Sequence, residues 1–191
     1  MFSLRGRSSP LVFAFVVALA GCMGSPSNEP QDETDGSDDE GNLSTGSSDR
    51  KPSRIEAEIA IDMGELYFAD GAGAKGGVFR APATKLVGIH VRNTGEIDHE
   101  IMFGQVVTEE DGAPHGFETT LFATVPADVF VYMPAKVEIE TEGMLQELEV
   151  EKSGDVWIRA SFPETTKGTW EIACFVPGHY EAGMKATLVI E

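Results

Sequence analysis

From Ser53 to Glu191 no stretch keeps a helical apolar period for three turns, which excludes helical bundles for this part of the chain. Alternation recurs instead. Ile55, Ala57, Ile59 and Ile61 fall on one side of an extended segment, with Glu56 and Glu58 on the other. Val87, Ile89 and Val91 repeat the pattern, with His90 and Arg92 turned away, and Asn93-Thr94-Gly95 then supplies a turn. Val129 and Val131, then Val137, Ile139 and Thr141, continue it. A reversal at Glu142-Gly143 precedes Leu145, Leu148 and Val150. Further on, Val156, Ile158, Ala160 and Phe162 share a face, Trp170, Ile172 and Cys174 another, and Ala186, Leu188 and Ile190 a third. Short half-buried strands divided by Gly, Pro and Asp turns pack as two sheets, so the expected class is all-β, a β-sandwich. Residues 104–128 lack the alternation and are expected to form an irregular excursion with one short helix. The glycine-rich run at 71–77 is a loop; it has neither the spacing nor the Lys-Ser/Thr of a phosphate loop.

The 191 residues divide by composition into three parts. Residues 1–21 carry two arginines and an apolar run from Leu11 to Ala20, an export signal too short for a durable membrane span. Leu19-Ala20-Gly21-Cys22 ends that run, as in a bacterial lipoprotein signal, where Cys22 becomes the first mature residue and carries the lipid. Met23 follows, so the aspartate associated with inner-membrane retention is missing, which leans towards the outer membrane in a cell that has one. Residues 22–52 are acidic and almost devoid of apolar side chains. They cannot bury enough surface to offset the entropy of ordering, and they read as a flexible tether. Residues 53–191 form the folded domain. The chain's net charge of −18 excludes nucleic acid as a partner and favours cations and basic proteins, although solubility or high-salt adaptation would explain it equally.

The sharpest motif is Cys174-Phe-Val-Pro-Gly-His179-Tyr-Glu-Ala-Gly-Met184, or Cys-x4-His-x4-Met, between the last two expected strands. Thiolate, imidazole and thioether converging from one loop favour copper over hard cations, and a second imidazole completes a His2Cys plane with a weak axial Met. His99, just beyond the Asn93-Thr94-Gly95 turn, is the candidate. The cysteine count agrees. There are 2 cysteines, and with Cys22 lipidated Cys174 has no partner, an exposed liability in an oxidising compartment unless the thiol is buried or bound to metal. His90 and His115 are weaker candidates, and Met102 and Met133 read as core residues.

The segments VRNTGEIDHEIMFG and GTWEIACFVPGHYEAGMKATLVIE resemble the first-ligand segment and the C-terminal ligand loop of the cupredoxins, the blue type 1 copper proteins. The resemblance covers about 105 to 140 residues, and the loop spacing is similar to that of rusticyanin. It implies a Greek-key sandwich holding one copper ion, Cu(I) or Cu(II), with His99 and His179 as imidazole ligands, Cys174 as thiolate and Met184 as axial sulfur. It implies single-electron transfer by a monomer without enzymatic chemistry, with a redox protein or a copper donor or acceptor as partner. Phe175, Val176, Pro177 and Tyr180 are expected to cover the thiolate, and Trp170 to be core. Glu100 after the first histidine departs from well-known electron carriers and resembles cupredoxins linked to copper handling. Two other readings stay open: a protein that buffers or delivers copper, and a structural sandwich with a vestigial site. The Cys-x3-Cys of a binuclear centre is absent, and 4 histidines are too few for a multicopper oxidase. The expected place is the cell envelope, lipid-anchored on its periplasmic or extracellular face.

Overall fold

A computed structural model of the chain describes residues 51–132, 136–141 and 144–191. The export signal, Cys22, the tether as far as residue 50, Met133 and the Glu142-Gly143 reversal lie outside the described residues.

The alternating segments form the strands of two mixed sheets, an all-β sandwich. In the first sheet β1 (Ala57–Gly64) lies between β2 (Tyr67–Asp70) and β4 (Leu86–Asn93), followed by β10 (Asp155–Ser161) and β7 (Ala127–Tyr132). β1 and β4 run parallel and the other pairs antiparallel. The register aligns the apolar faces. Ile59 sits opposite Ile89, Ile61 opposite Val91, Val156 opposite Val91 and Ile158 opposite Ile89, all buried. Cross-strand rows of β-branched side chains are what stabilise such a face. The outward face is paired as well. Arg92 donates to both Asp62 carboxylate oxygens at 2.7 and 2.8 Å, and the His90 ring stacks on Trp157 at 4.2 Å with Nε2 2.9 Å from Asp155 Oδ1.

The second sheet runs β3 (Val78–Ala81), β12 (Lys185–Ile190), β11 (Gly168–Ala173), β5 (His99–Glu110), β9 (Leu145–Val150) and β8 (Val137–Thr141), with β6 (Ala113–Thr120) also on β5. Ile101, Phe103, Leu148, Val150, Ile172, Leu188 and Ile190 face the first sheet, and Phe122 and Phe162 fill the space between. Each such buried side chain contributes roughly 1.5–3 kcal/mol of apolar transfer. Cys174 and Met184 belong to this same core.

Two expectations are corrected. Residues 104–128 are not irregular: they are the outer half of β5, all of β6, a single 3-10 turn at Leu121–Ala123 and the start of β7. Past Gly104 the β5 side chains are almost all exposed on both faces, so no alternation marks the strand, and its ladder to β6 holds it. Gly104 is needed there, because a Cβ would fall 2.3 Å from the Phe117 ring. Ile139, read as inward, is 44% exposed on β8, the edge strand of its sheet.

Candidate metal centre

Two pieces of chain meet at one pole of the sandwich. The first is the turn between β4 and β5. Asn93 is buried, and its Nδ2 donates to the Ile97 and Val150 carbonyls at 2.8 Å each, while its Oδ1 accepts the Gly95 N–H at 2.9 Å. The Thr94 and Gly95 N–H groups donate to the Met63 carbonyl. The turn is therefore tied to β1 and β9, and it delivers His99 as the first residue of β5. The second piece is the loop from Cys174 to Met184. Its ends are joined by Cys174 N–H donating to Met184 O at 3.2 Å, and its interior by Met184 N–H to His179 O and His179 N–H to Val176 O, both at 2.9 Å. Gly178 and Gly183 hold φ of 88° and 99°, a left-handed conformation that a side chain would strain.

β11 pairs with β5, Ala173 opposite Met102, so the two pieces sit on adjacent strands. His99 Nδ1 and His179 Nδ1 lie 3.3 Å apart, and Cys174 Sγ lies 3.3 Å from His179 Nδ1. All three donor atoms fall within 4.8 Å of one another, the only such group among the described residues. His99 and Cys174 are sealed, and His179 is 7% exposed, so one imidazole edge approaches solvent. Met184 closes the loop fully buried.

Burial governs the electrostatics of the site. Burial pushes the Cys174 thiol up to about 11, against the N–H groups of Glu100 and Val176, which pull it down. Burial, and then the nearby His179, hold His99 below its ordinary value against the opposing charges of Glu65 and Asp98. Without a cation the thiol keeps its proton and His99 stays neutral, so the site carries no buried charge. Metal–nitrogen and metal–thiolate bonds of about 2.0–2.3 Å let donors with these separations share one ion. The donor set of two imidazoles and one thiolate, with a thioether on the same loop, fits copper.

The sequence-derived candidates separate cleanly. His99, Cys174 and His179 come together and Met184 closes their loop. His90 lies on the outer face of the first sheet, and His115 is exposed on β6 beside Glu110 at 3.1 Å. Phe175 is buried, with Tyr180 stacked on it at 5.2 Å, and Val176 packs on the core, but Pro177 is exposed. Trp170 packs against the core, and its Nε1 donates to Thr166 O at 2.9 Å.

No protein-family model matches the chain, and no curated protein matches it. Solved structures give a distant likeness. A reduced auracyanin from Roseiflexus castenholzii is 19% identical, covering 71% of this chain and 95% of that one, with a TM-score of 0.40. Rusticyanin from Thiobacillus ferrooxidans is 14% identical over 70% and 76%, with a TM-score of 0.44. A multicopper oxidase from Campylobacter jejuni is 11% identical over 74% of this chain and 31% of that one, with a TM-score of 0.47.

Glu100 was visible in the sequence only as a departure from a pattern. Its N–H donates to Cys174 Sγ at 3.4 Å, and its Oε2 accepts the Phe175 N–H at 3.2 Å, so one residue grips both sides of the thiol. Its carboxyl, raised above the ordinary range by burial, also lines a cleft of about 380 Å³ with Met102, His115, Glu140 and Glu147. Hydrogen bonds of this kind bridge elements far apart in sequence, and no local signal announces them.

Proposed function

We propose that the protein is a type 1 copper protein that passes single electrons outside the cytoplasmic membrane, held to the envelope by lipid on Cys22. The observation that carries this reading is the meeting of His99 Nδ1, His179 Nδ1 and Cys174 Sγ at one buried pole. Copper held there by His99, His179 and Cys174 would supply one-electron redox chemistry. The chain's own residues do the rest. The Asn93 turn and the stitched loop hold the imidazoles and the thiol where they are, so a change of charge at the site meets little rearrangement. Glu100 N–H donates to the sulfur and so stabilises its anionic form. Phe175 and the core keep water from the sulfur. His179, the one ligand with an edge near solvent, is the exit towards a partner. In this reading electrons pass through the protein without substrate chemistry, a non-enzymatic role.

The test is to add Cu(II) to the purified protein and record optical and EPR spectra beside a Cys174→Ala control. An intense visible thiolate-to-copper band with reversible redox cycling is expected from the wild type, and no such band from the variant. A band that survives in Cys174→Ala would refute the assignment.

One observation favours a second reading, capture and delivery of copper. The cleft that Glu100 shares with Met102, His115 and Glu147 places carboxylate, imidazole and thioether donors beside the buried site. Tight Cu(I) binding, slow reoxidation and passage of the ion to an acceptor chelator would select it over electron transfer.

A further inference from the structure

The three donor side chains of the ligand loop recur every five residues, and so do the residues that follow them: Cys174-Phe175, His179-Tyr180 and Met184-Lys185. In the folded chain the three followers meet. The Phe175 and Tyr180 rings are stacked, with centroids 5.2 Å apart and planes inclined by 13°. Lys185 Nζ lies 4.4 Å from the centre of the Tyr180 ring. Phe117 of β6 meets Phe175 edge-on at 5.1 Å. These residues stand apart from the main core. Cys174 and Met184 are buried among the side chains that fill the sandwich, whereas Phe175 packs with Met102, Phe117 and Ala173 in a second, smaller cluster, and Tyr180 lies against it. The donors thus face one side of the loop, and their followers form a column on the other.

A loop that presents thiol, imidazole and thioether to one ion must fix three backbone positions relative to one another. Hydrogen bonds within the loop do part of this, from His179 N–H to Val176 O and from Met184 N–H to His179 O. The column adds a second set of ties, Phe175 to Tyr180 and Tyr180 to Lys185, each made one residue beyond a donor. Such ties are directional where aliphatic packing is not: stacked rings prefer an offset, and an ammonium is drawn to the face of a ring by its quadrupole. We propose that Tyr180 is a positioning residue for the metal centre, its ring holding Phe175 and Lys185 and so setting Cys174, His179 and Met184 relative to one another. The role belongs to the ring rather than to the hydroxyl, which lies beside Glu171. It requires that the loop donors hold copper, as in the proposed function.

Three variants separate ring, hydroxyl and cation. Tyr180→Leu keeps apolar bulk but has no ring face. In the metal-free protein its His179 and Met184 amides are expected to exchange about tenfold faster than in the wild type, read by NMR, while amides of β4 and β10 keep their rates. Tyr180→Phe keeps the ring and is expected to match the wild type. Lys185→Gln removes only the cation, and a rise of about threefold is expected at the Met184 amide. With Cu(II) added, Tyr180→Leu is expected to bind about tenfold more weakly and to shift the thiolate-to-copper band, and Tyr180→Phe to change neither. Loop exchange in Tyr180→Leu that is unchanged, or that quickens no more than in β4 and β10, would overturn the proposal, as would Tyr180→Phe behaving like Tyr180→Leu. Lys185 is exposed, so Lys185→Gln decides the matter where Tyr180→Leu does not fold: a wild-type rate at Met184 rejects the column. A wild-type protein that binds no copper would sink the proposed function instead, and the metal-free exchange rates would then uphold or reject the column as a brace of the loop alone.

Discussion

Cys174 carries its proton at neutral pH because burial pushes its thiol up to about 11. A cation that takes the thiolate must expel that proton, so binding tightens as pH rises. His99, held below its ordinary value, has no further proton to lose above neutrality. Cu(I) affinity measured by competition is expected to rise by about tenfold per pH unit from the thiol alone, and a flat profile would mean that Cys174 is not a ligand. Glu147 shows the opposite sign. Burial, and then the carboxylates of Glu100, Glu140 and Glu149, push it up to about 7. Below the ordinary carboxylate range it is protonated folded or unfolded, and nothing is lost. Between the ordinary carboxylate range and about 7 the unfolded chain ionises this group while the folded protein keeps it protonated, so stability falls across that window and levels off above it. The group is half-exposed and screened, so Glu147→Gln is expected to gain about 1 kcal/mol at pH about 8 and nothing at pH about 4, read by urea denaturation at both.

The turn from β4 to β5 is the element on which the first ligand depends. Asn93 satisfies two carbonyls and one N–H at once in a buried position. Asn93→Ala would strip both carbonyls of this donor and leave the Gly95 N–H only the Met63 carbonyl, and a loss of about 2–3 kcal/mol is expected on denaturation, with weaker copper binding in the protein that remains folded. Asn93→Asp, which cannot donate to the two carbonyls, should not rescue it. On the other side of the site the β5–β6 hairpin reaches the ligand loop through aromatic rings, Phe117 edge-on to Phe175 at 5.1 Å and Phe175 stacked on Tyr180. The outer part of this hairpin was illegible in the sequence for a physical reason: with Gln105, Thr108, Glu109 and Glu110 exposed, no apolar alternation marks it, and only backbone pairing reveals it. The ligand loop was legible because its three donors lie within eleven residues and need no knowledge of the fold. The contacts of Glu65 with Glu96 and of Glu100 with Cys174 span 31 and 74 residues, and they exist only once the sheets have formed.

At the scale of the whole molecule the sandwich could be read from β1, β4, β10 and β12, whose apolar alternation survives in the final burial. The parallel partnerships of β1 with β4 and β3 with β12 could not, since alternation gives faces and not neighbours. A ligand that binds only the folded form stabilises it by mass action. Copper at a free concentration a thousandfold above its dissociation constant is therefore expected to add about 4 kcal/mol, seen as a raised melting temperature that a chelator reverses. Cys174→Ala should show no such shift, and an equal one would place the ion elsewhere. The pairing of Met102 with Ala173 has its own consequence. A slip of one residue in that ladder would turn the imidazole and the thiol towards opposite faces of the sheet. A bound ion would then act as a proof-reader of strand alignment: mis-zipped chains would offer it no cage, so its grip would be reserved for molecules whose halves have come together in step.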